Sequence, residues 1–200
     1  MTVRGWSSIV SALLLSVLLG GFQACSSLPR VVVLHDPLTP AEHVTLGLTY
    51  EAQGRTELAV REYHAALEQE HGYVPAFVGL GNLAFGRGAL EEAEAYYHQA
   101  LAVAPQDPGA NNNLAMLYLA QSANLTEAER LARQALAQGG PLRPYVLDTM
   151  ARIYMRQGRY QEAKAALEEA EAMTPSANEI LHERLVQSRR ELATVYSRAE

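Results

Sequence analysis

The stretch that decides the fold runs from Val74 to Asp107 and reads VPAFVGLGNLAFGRGALEEAEAYYHQALAVAPQD. Its large apolar side chains recur at intervals of three to four residues, which is the spacing of a buried helix face. Its small residues fall where two helix backbones must approach closely, namely at Gly81, Ala93 and Ala100. The stretch therefore predicts two short antiparallel helices that interlock.

This helix pair resembles the tetratricopeptide repeat, a helix–turn–helix unit of about 34 residues. The residues that carry the resemblance are Leu80, Gly81, Ala93, Tyr97, Ala100, Leu101 and Pro105. The pattern is specific when neighbouring segments repeat it in register, and four segments do so: 40–73, 74–107, 108–143 and 144–177. The resemblance implies an all-α fold, a right-handed superhelical solenoid of stacked repeats.

Three helix starts are predicted from pairs of capping residues that stand three positions apart. These pairs are Thr39 with Glu42, Asn124 with Glu127, and Ser176 with Glu179. The first pair is followed by Pro40 at the first helical position, where proline is favoured. The second pair follows an inter-helix turn that is one residue longer than the turns of the neighbouring repeats.

Residues 178–200 are expected to form one further helix that covers the end of the solenoid. Its apolar side is predicted to hold Ile180, Leu181, Leu185, Leu192 and Val195. A solenoid exposes an apolar face at its last repeat and needs a terminal element with a polar outer side. A capping helix is therefore the favoured interpretation, and a partner-binding or membrane-surface helix is the alternative.

The N-terminus carries the pattern of an export signal. Arg4 precedes an apolar run from Ile9 to Leu19, and small residues follow it. The single cysteine of the chain, Cys25, comes directly after this segment. The segment resembles a bacterial lipoprotein signal, which implies that residues 1–24 are removed and that Cys25 is acylated. Residues 25–38 are then the lipidated N-terminus and a tether to the first helix.

The resemblance also implies a location. In enteric lipoproteins an aspartate after the acylated cysteine favours retention in the inner membrane, and Ser26 stands at that position here. We therefore expect the periplasmic face of the outer membrane in a bacterial envelope. An ordinary cleaved secretory signal and an uncleaved anchor are the alternatives.

Composition and charge argue against other classes of function. The formal net charge is -6 and Lys164 is the one lysine, whereas nucleic-acid binding needs a concentrated positive face. Between residues 39 and 174 the chain has no cysteine and a single serine, Ser122, so no catalytic triad is predicted. His64 and His98 occupy equivalent repeat positions, but the spacing supplies no further zinc ligands. No metal, cofactor or small-molecule substrate is expected.

A binding surface follows from the resemblance. In tetratricopeptide proteins the first helix of each repeat lines a concave groove. The equivalent positions in this chain are Val44, Leu48, Glu51, Val78, Asn82, Phe85, Asn112, Met116, Leu119, Tyr145, Asp148, Arg152 and Met155. This mixture of apolar side chains, amides and one arginine suits an extended or helical peptide. It departs from the carboxylate clamp of chaperone-binding relatives, which has Lys and Asn where Val44 and Leu48 stand. Simple solvation of the inner face is the alternative.

The predicted function is that of a non-enzymatic adaptor that binds a protein or peptide partner and is held to a membrane by lipid. Relatives of this layout assemble pili or secretion pores, or dock cell-wall enzymes. The alternative is a soluble accessory or chaperone-like subunit of an exported or cytosolic complex, without a lipid anchor.

Overall fold

The computed structural model describes residues 36–122 and 124–197, and all regular elements in these ranges are α-helices. They form four helix pairs followed by a single helix. In chain order they are α1 (Pro40–Ala52), α2 (Thr56–Gln69), α3 (Val74–Gly86), α4 (Leu90–Val103), α5 (Pro108–Ala120), α6 (Leu125–Ala137), α7 (Arg143–Arg156), α8 (Tyr160–Met173) and α9 (Glu179–Tyr196). The predictions for the signal segment, for Cys25 and for most of the tether fall outside the described residues.

None of the helices α1 to α9 is both long and apolar enough to cross a membrane.

The start of α1 confirms the first predicted cap. The Thr39 hydroxyl oxygen accepts a hydrogen bond from the Glu42 N–H at 3.3 Å, and the Glu42 carboxylate accepts one from the Thr39 N–H at 2.7 Å. Pro40 occupies the first helical position. Two backbone donors that the first turn would leave unpaired are thus satisfied.

The other two predicted capping pairs do not form, although α6 does begin directly after Asn124. Asn124 has a left-handed backbone with φ of 49° and makes no capping bond, because the extra residue of this turn is accommodated by positive φ at Ser122 and Asn124. The Glu127 carboxylate instead binds Arg130. Helix α9 is capped by Asn178, whose Oδ1 accepts from the Leu181 N–H at 3.1 Å.

The arrangement of the helices gives the molecule an inner and an outer side. The first helix of each repeat contacts the first helix of the next, in the series α1, α3, α5, α7 and α9. The second helices, α2, α4, α6 and α8, make no such contacts with one another in the described ranges. Since the first helices pack together while the second helices spread apart, the first helices form a concave face.

Glycines in the first two repeats let the paired helices approach closely. A Cβ atom on Gly81 would overlap the Tyr97 ring, and one on Gly47 would lie 2.5 Å from the Tyr63 ring. Both tyrosines are fully buried as a result. Burial raises the pKa of Tyr63 and of Tyr97, and the neighbouring Glu51 carboxylate raises both further. Their hydroxyls therefore remain protonated and act as hydrogen-bond donors.

Helix α9 packs on both α7 and α8, and so extends the stack by half a repeat. Its buried side holds Leu181, Leu185 and Ser188, which follow one another at helical spacing. Ile180 is 80% exposed, so its predicted place on the buried side is wrong. Adjacent residues of a helix point about 100° apart, so Ile180 lies beside the buried stripe that begins at Leu181.

Candidate binding groove

The predicted groove residues all lie on the first helices of their repeats, but they differ in exposure. Leu48 is exposed, and a partly exposed set comprises Val44, Glu51, Val78, Asn82, Phe85, Met116, Tyr145 and Arg152. A buried set comprises Asn112, Leu119, Asp148 and Met155. The structure gathers most of them into two separate cavities rather than one continuous channel.

The larger cavity, here named the C-terminal cavity, has a volume of about 700 Å³. Five predicted groove residues line it: Phe85, Met116, Leu119, Arg152 and Met155. Ala120, Arg156 and five residues of α9 complete it, the latter being Gln187, Arg190, Glu191, Thr194 and Val195. Its floor is apolar and includes two methionines, whose flexible side chains adapt to irregular ligands. Its rim is charged.

The smaller cavity, here named the N-terminal cavity, has a volume of about 350 Å³. It contains four predicted groove residues, Val44, Leu48, Val78 and Asn82. The other lining residues are Tyr63, Val74, Pro75, Gly79, Asp107, Pro108, Gly109 and Leu142. This cavity is almost entirely apolar, and Asp107 is the one charged residue in its lining.

Asn82 places a polar side chain in the N-terminal cavity, and two hydrogen bonds hold that side chain in one orientation. Its Oδ1 accepts hydrogen bonds from the Tyr97 hydroxyl at 2.9 Å and from the Asn113 amide at 2.7 Å. The acceptor end of the amide is thus saturated. The Asn82 Nδ2 group makes no hydrogen bond with the described residues and can donate to a carbonyl of a bound peptide.

Four predicted residues line neither cavity. Glu51 accepts a hydrogen bond from the Tyr63 hydroxyl at 3.0 Å, and the Tyr145 hydroxyl accepts one from Asn178 at 2.9 Å. Asn112 is buried, and its Oδ1 has no partner within the described ranges. Asp148 is the fourth. Glu51, Tyr145 and Asp148 are thus bonded to other side chains of the protein.

Asp148 requires a correction. It was expected on the groove surface, but it is fully buried under α9. Arg184 Nε donates to its Oδ2 at 2.6 Å and the Ser188 hydroxyl donates to its Oδ1 at 2.5 Å. Because both carboxylate oxygens have partners, the charge is compensated within the protein. Asp148 therefore anchors α9 and does not face the groove.

The contribution of α9 to the groove was missed by sequence reasoning, which treated it only as a cap. One feature of the sequence does indicate that α9 lines the groove. Asn178 caps α9 as Asp107 caps α5, each accepting from the N–H three residues further on. This similarity marks α9 as the first helix of a further repeat-like unit, and first helices line the groove.

The histidines that invited a metal hypothesis are both exposed on second helices, His64 on α2 and His98 on α4. Within residues 36–122 and 124–197 there is no group of three or more His, Cys, Asp or Glu side chains placed to hold a metal ion. His98 lies 3.7 Å from the Glu94 carboxylate, an exposed pair one helical turn apart.

Family models for the tetratricopeptide repeat match residues 44–108, 78–144 and 144–177. Together these matches cover about two thirds of the chain. The chain belongs to the tetratricopeptide repeat family. This family membership, with the helix pairs described above, confirms the all-α solenoid and indicates a protein or peptide as the partner.

Two solved structures share the tetratricopeptide solenoid. The APC/C hetero-tetramer Cut9–Hcn1 aligns with a TM-score of 0.61 and 18% identity, over 75% of this chain and 30% of that chain. PilF of Pseudomonas aeruginosa aligns with a TM-score of 0.59 and 19% identity, over 80% of this chain and 74% of that chain. At these identities the similarity concerns the fold. No curated protein matches the sequence.

The C-terminal end of the tetratricopeptide groove carries a local positive charge. The C-terminal cavity has three arginines, Arg152, Arg156 and Arg190, against one carboxylate, Glu191. The whole chain carries a formal net charge of -6. A local positive site therefore lies within an acidic protein, and it lies where the apolar lining is also largest.

Proposed function

We propose that this chain is a non-enzymatic adaptor that binds a segment of a partner protein in its concave groove. The observation that carries the proposal is the C-terminal cavity, in which Phe85, Met116 and Met155 leave an apolar floor partly open on the face that tetratricopeptide proteins use for binding. A cavity of about 700 Å³ can enclose one or two large side chains of a peptide.

The groove suits a peptide rather than a flat protein surface. Two apolar cavities follow one another along the first helices, and Asn82 offers an oriented amide donor in one of them. Side-chain pockets give specificity to a bound peptide, and polar groups satisfy its backbone. This combination matches a segment that presents an anchor side chain to each cavity.

The polar groups of the described residues support binding rather than chemistry. The hydroxyl of Ser122 accepts a hydrogen bond from Arg156 in an exposed turn, with no histidine beside it. The Tyr118 hydroxyl donates to Glu94, and burial with this carboxylate raises the pKa of Tyr118 to about 12. The Ser122 and Tyr118 hydroxyls are thus paired within the protein, and neither is bonded to a histidine that could act as its general base.

The proposal includes an anchor at Cys25 and a place at the periplasmic face of the outer membrane in a bacterial envelope. It is supported by the order of the N-terminal residues, which resembles a lipoprotein signal. Tethering would hold the groove near envelope partners, in the assembly of a machine such as a pilus or a secretion pore, or beside cell-wall enzymes. A similar fold occurs in PilF of Pseudomonas aeruginosa.

The groove is tested by comparing two double variants in a pull-down from native envelopes. Phe85→Ala with Met116→Ala removes apolar surface from the C-terminal cavity. The matched control, Val103→Ala with Met173→Ala, removes exposed apolar surface from the second helices. We expect partners captured by the wild type to be lost with the first variant and kept with the control, at unchanged helicity. Equal capture by both variants would place the binding face elsewhere.

A further inference from the structure

The arginines of the C-terminal cavity differ from the other arginines of this protein. Seven arginines form ion pairs with carboxylates: Arg87, Arg130, Arg133, Arg143, Arg159, Arg184 and Arg189. The remaining five arginines of the described ranges form no ion pair with a carboxylate: Arg55, Arg61, Arg152, Arg156 and Arg190. Three of these five line the one cavity.

These three arginines reach the C-terminal cavity from two different helices. Arg152 and Arg156 come from α7, one turn apart, and Arg190 comes from α9 on the other wall. Arg156 contacts the Ser122 hydroxyl, which leaves its charge uncompensated. Guanidinium groups bind carboxylates with paired hydrogen bonds and strong geometric preference. Two walls of guanidinium groups above an apolar floor therefore suit a ligand that is apolar in its centre and anionic at its flanks.

We infer that the C-terminal cavity takes an acidic peptide segment, in which an apolar anchor side chain is flanked by aspartate or glutamate. The anchor enters between Phe85, Met116 and Met155, and the flanking carboxylates pair with Arg152, Arg156 and Arg190. This inference rests on the proposed function and names the chemistry of the partner at that site.

The charge of the remaining surface favours a short acidic peptide over a nucleic acid. A nucleic-acid backbone carries phosphates along its whole length and would meet the carboxylates that give this chain its net charge of -6. The three cavity arginines form a local site and not a stripe. A compact segment with a few carboxylates can use them without approaching the carboxylates elsewhere on the protein.

The first experiment selects peptides from a displayed random library on the full-length protein. We expect the selected peptides to carry an aromatic or aliphatic residue flanked by Asp or Glu. One selected peptide is then compared with a copy in which Asp and Glu are replaced by Asn and Gln. Because hydrogen bonds to charged groups are the stronger kind, the neutral copy should bind at least about tenfold more weakly.

The second experiment removes the same amount of positive charge at two places. Arg152→Gln with Arg190→Gln should weaken binding of the acidic peptide by about tenfold or more. Arg87→Gln with Arg130→Gln, which changes exposed ion pairs outside the cavity, should change it by less than about twofold. Thermal unfolding of all variants shows whether the fold is kept.

The outcomes separate this inference from the proposed function. In one outcome, the selected peptides no longer bind the Phe85→Ala, Met116→Ala variant. They nevertheless keep their affinity when their acids are removed, or when the protein carries Arg152→Gln and Arg190→Gln. This outcome overturns the acidic partner and leaves the proposed groove function standing. Peptides that bind all cavity variants equally, or a selection that enriches no peptide, contradict the groove function and this inference with it.

Discussion

At the scale of single residues, the contact between Gly81 and Tyr97 decides how closely α3 and α4 pack. A methyl group on Gly81 would overlap the Tyr97 ring, whereas a methyl group on Gly86 of the same helix would meet no atom within 4 Å. Helix propensity favours alanine at both positions. A comparison of the two alanine substitutions therefore isolates the effect of close packing on stability.

We expect Gly81→Ala to lower the free energy of unfolding by about 1 to 3 kcal/mol, because overpacking displaces the buried Tyr97 ring. Gly86→Ala should leave it unchanged or raise it slightly. Urea denaturation measures both values. If Gly81→Ala were as stable as Gly86→Ala, the pairing of these two helices would have to be different.

Glu129 links the third repeat to the fourth and supplies a pH dependence. Burial raises the pKa of this carboxyl, but hydrogen bonds from Gln157 and Arg159 and the charge of Arg133 outweigh burial, so its pKa lies below the ordinary value of 4.5. A lowered folded-state pKa contributes stability that is fully present above pH 4.5 and is lost as the pH falls through the folded-state value.

We therefore expect Glu129→Gln to lower the free energy of unfolding by about 1 kcal/mol at pH 7. The difference from the wild type should shrink as the pH falls below 4.5. Urea titrations across this range measure it, with Glu68→Gln as a control at an exposed position on α2. A difference that stays constant down to acid pH would exclude Glu129 as its source.

At the scale of elements, α9 is the helix whose role the structure changes most. It closes the apolar end of α7 and α8 and also supplies one wall of the C-terminal cavity. Two ion pairs attach it: one joins the fully buried Asp148 carboxylate to Arg184, whose side chain is 32% exposed, and the other is the exposed pair of Glu171 and Arg189. Buried and exposed pairs contribute very differently to stability.

We expect Asp148→Ala to loosen α9, because it leaves the Arg184 guanidinium and the Ser188 hydroxyl without their shared acceptor. The cost is about 2 kcal/mol, and amide hydrogen exchange in α9 should accelerate. Glu171→Ala serves as the control and should cost less than about 1 kcal/mol. Similar exchange rates in the two variants would contradict a special role for the buried pair.

At the scale of the whole molecule, the groove has an apolar N-terminal end and a positively charged C-terminal end, both built on first helices. The proposed anchor at Cys25 precedes α1, so a lipid there would attach the solenoid through its apolar end. In this proposal the segment between Cys25 and Pro40 serves as a tether, and an extended chain spans about 3.3 Å per residue.

We expect the wild type to incorporate labelled fatty acid and to fractionate with membranes. Cys25→Ser removes the thiol that would carry the lipid and should abolish the label, while groove variants such as Phe85→Ala should keep it. Metabolic labelling followed by fractionation measures this outcome. A wild type that takes up no fatty acid would refute the anchor and leave the groove untouched.

The fold could be predicted because the residues that pack its helices recur in short, similar segments. Gly81 and Tyr97 have counterparts 34 residues earlier at Gly47 and Tyr63, and each repeat contacts only its neighbours, so local patterns determine the stack. Helix starts were less reliable. The Thr39 box is confirmed, whereas Asn124 makes no capping bond because its backbone is left-handed, and Asn178 caps the last helix in place of Ser176.

The sequence by itself determined the four helix pairs, since helical periodicity fixes which side chains share a face, and the resemblance to the tetratricopeptide repeat implied that Phe85, Met116 and Met155 lie on the groove face. Only the tertiary structure decided that Asp148 is buried under α9 and that Arg190 joins Arg152 in one cavity. These residues are remote in sequence, and their proximity follows from the rotation of α9 against α7. That rotation is set by packing between helices.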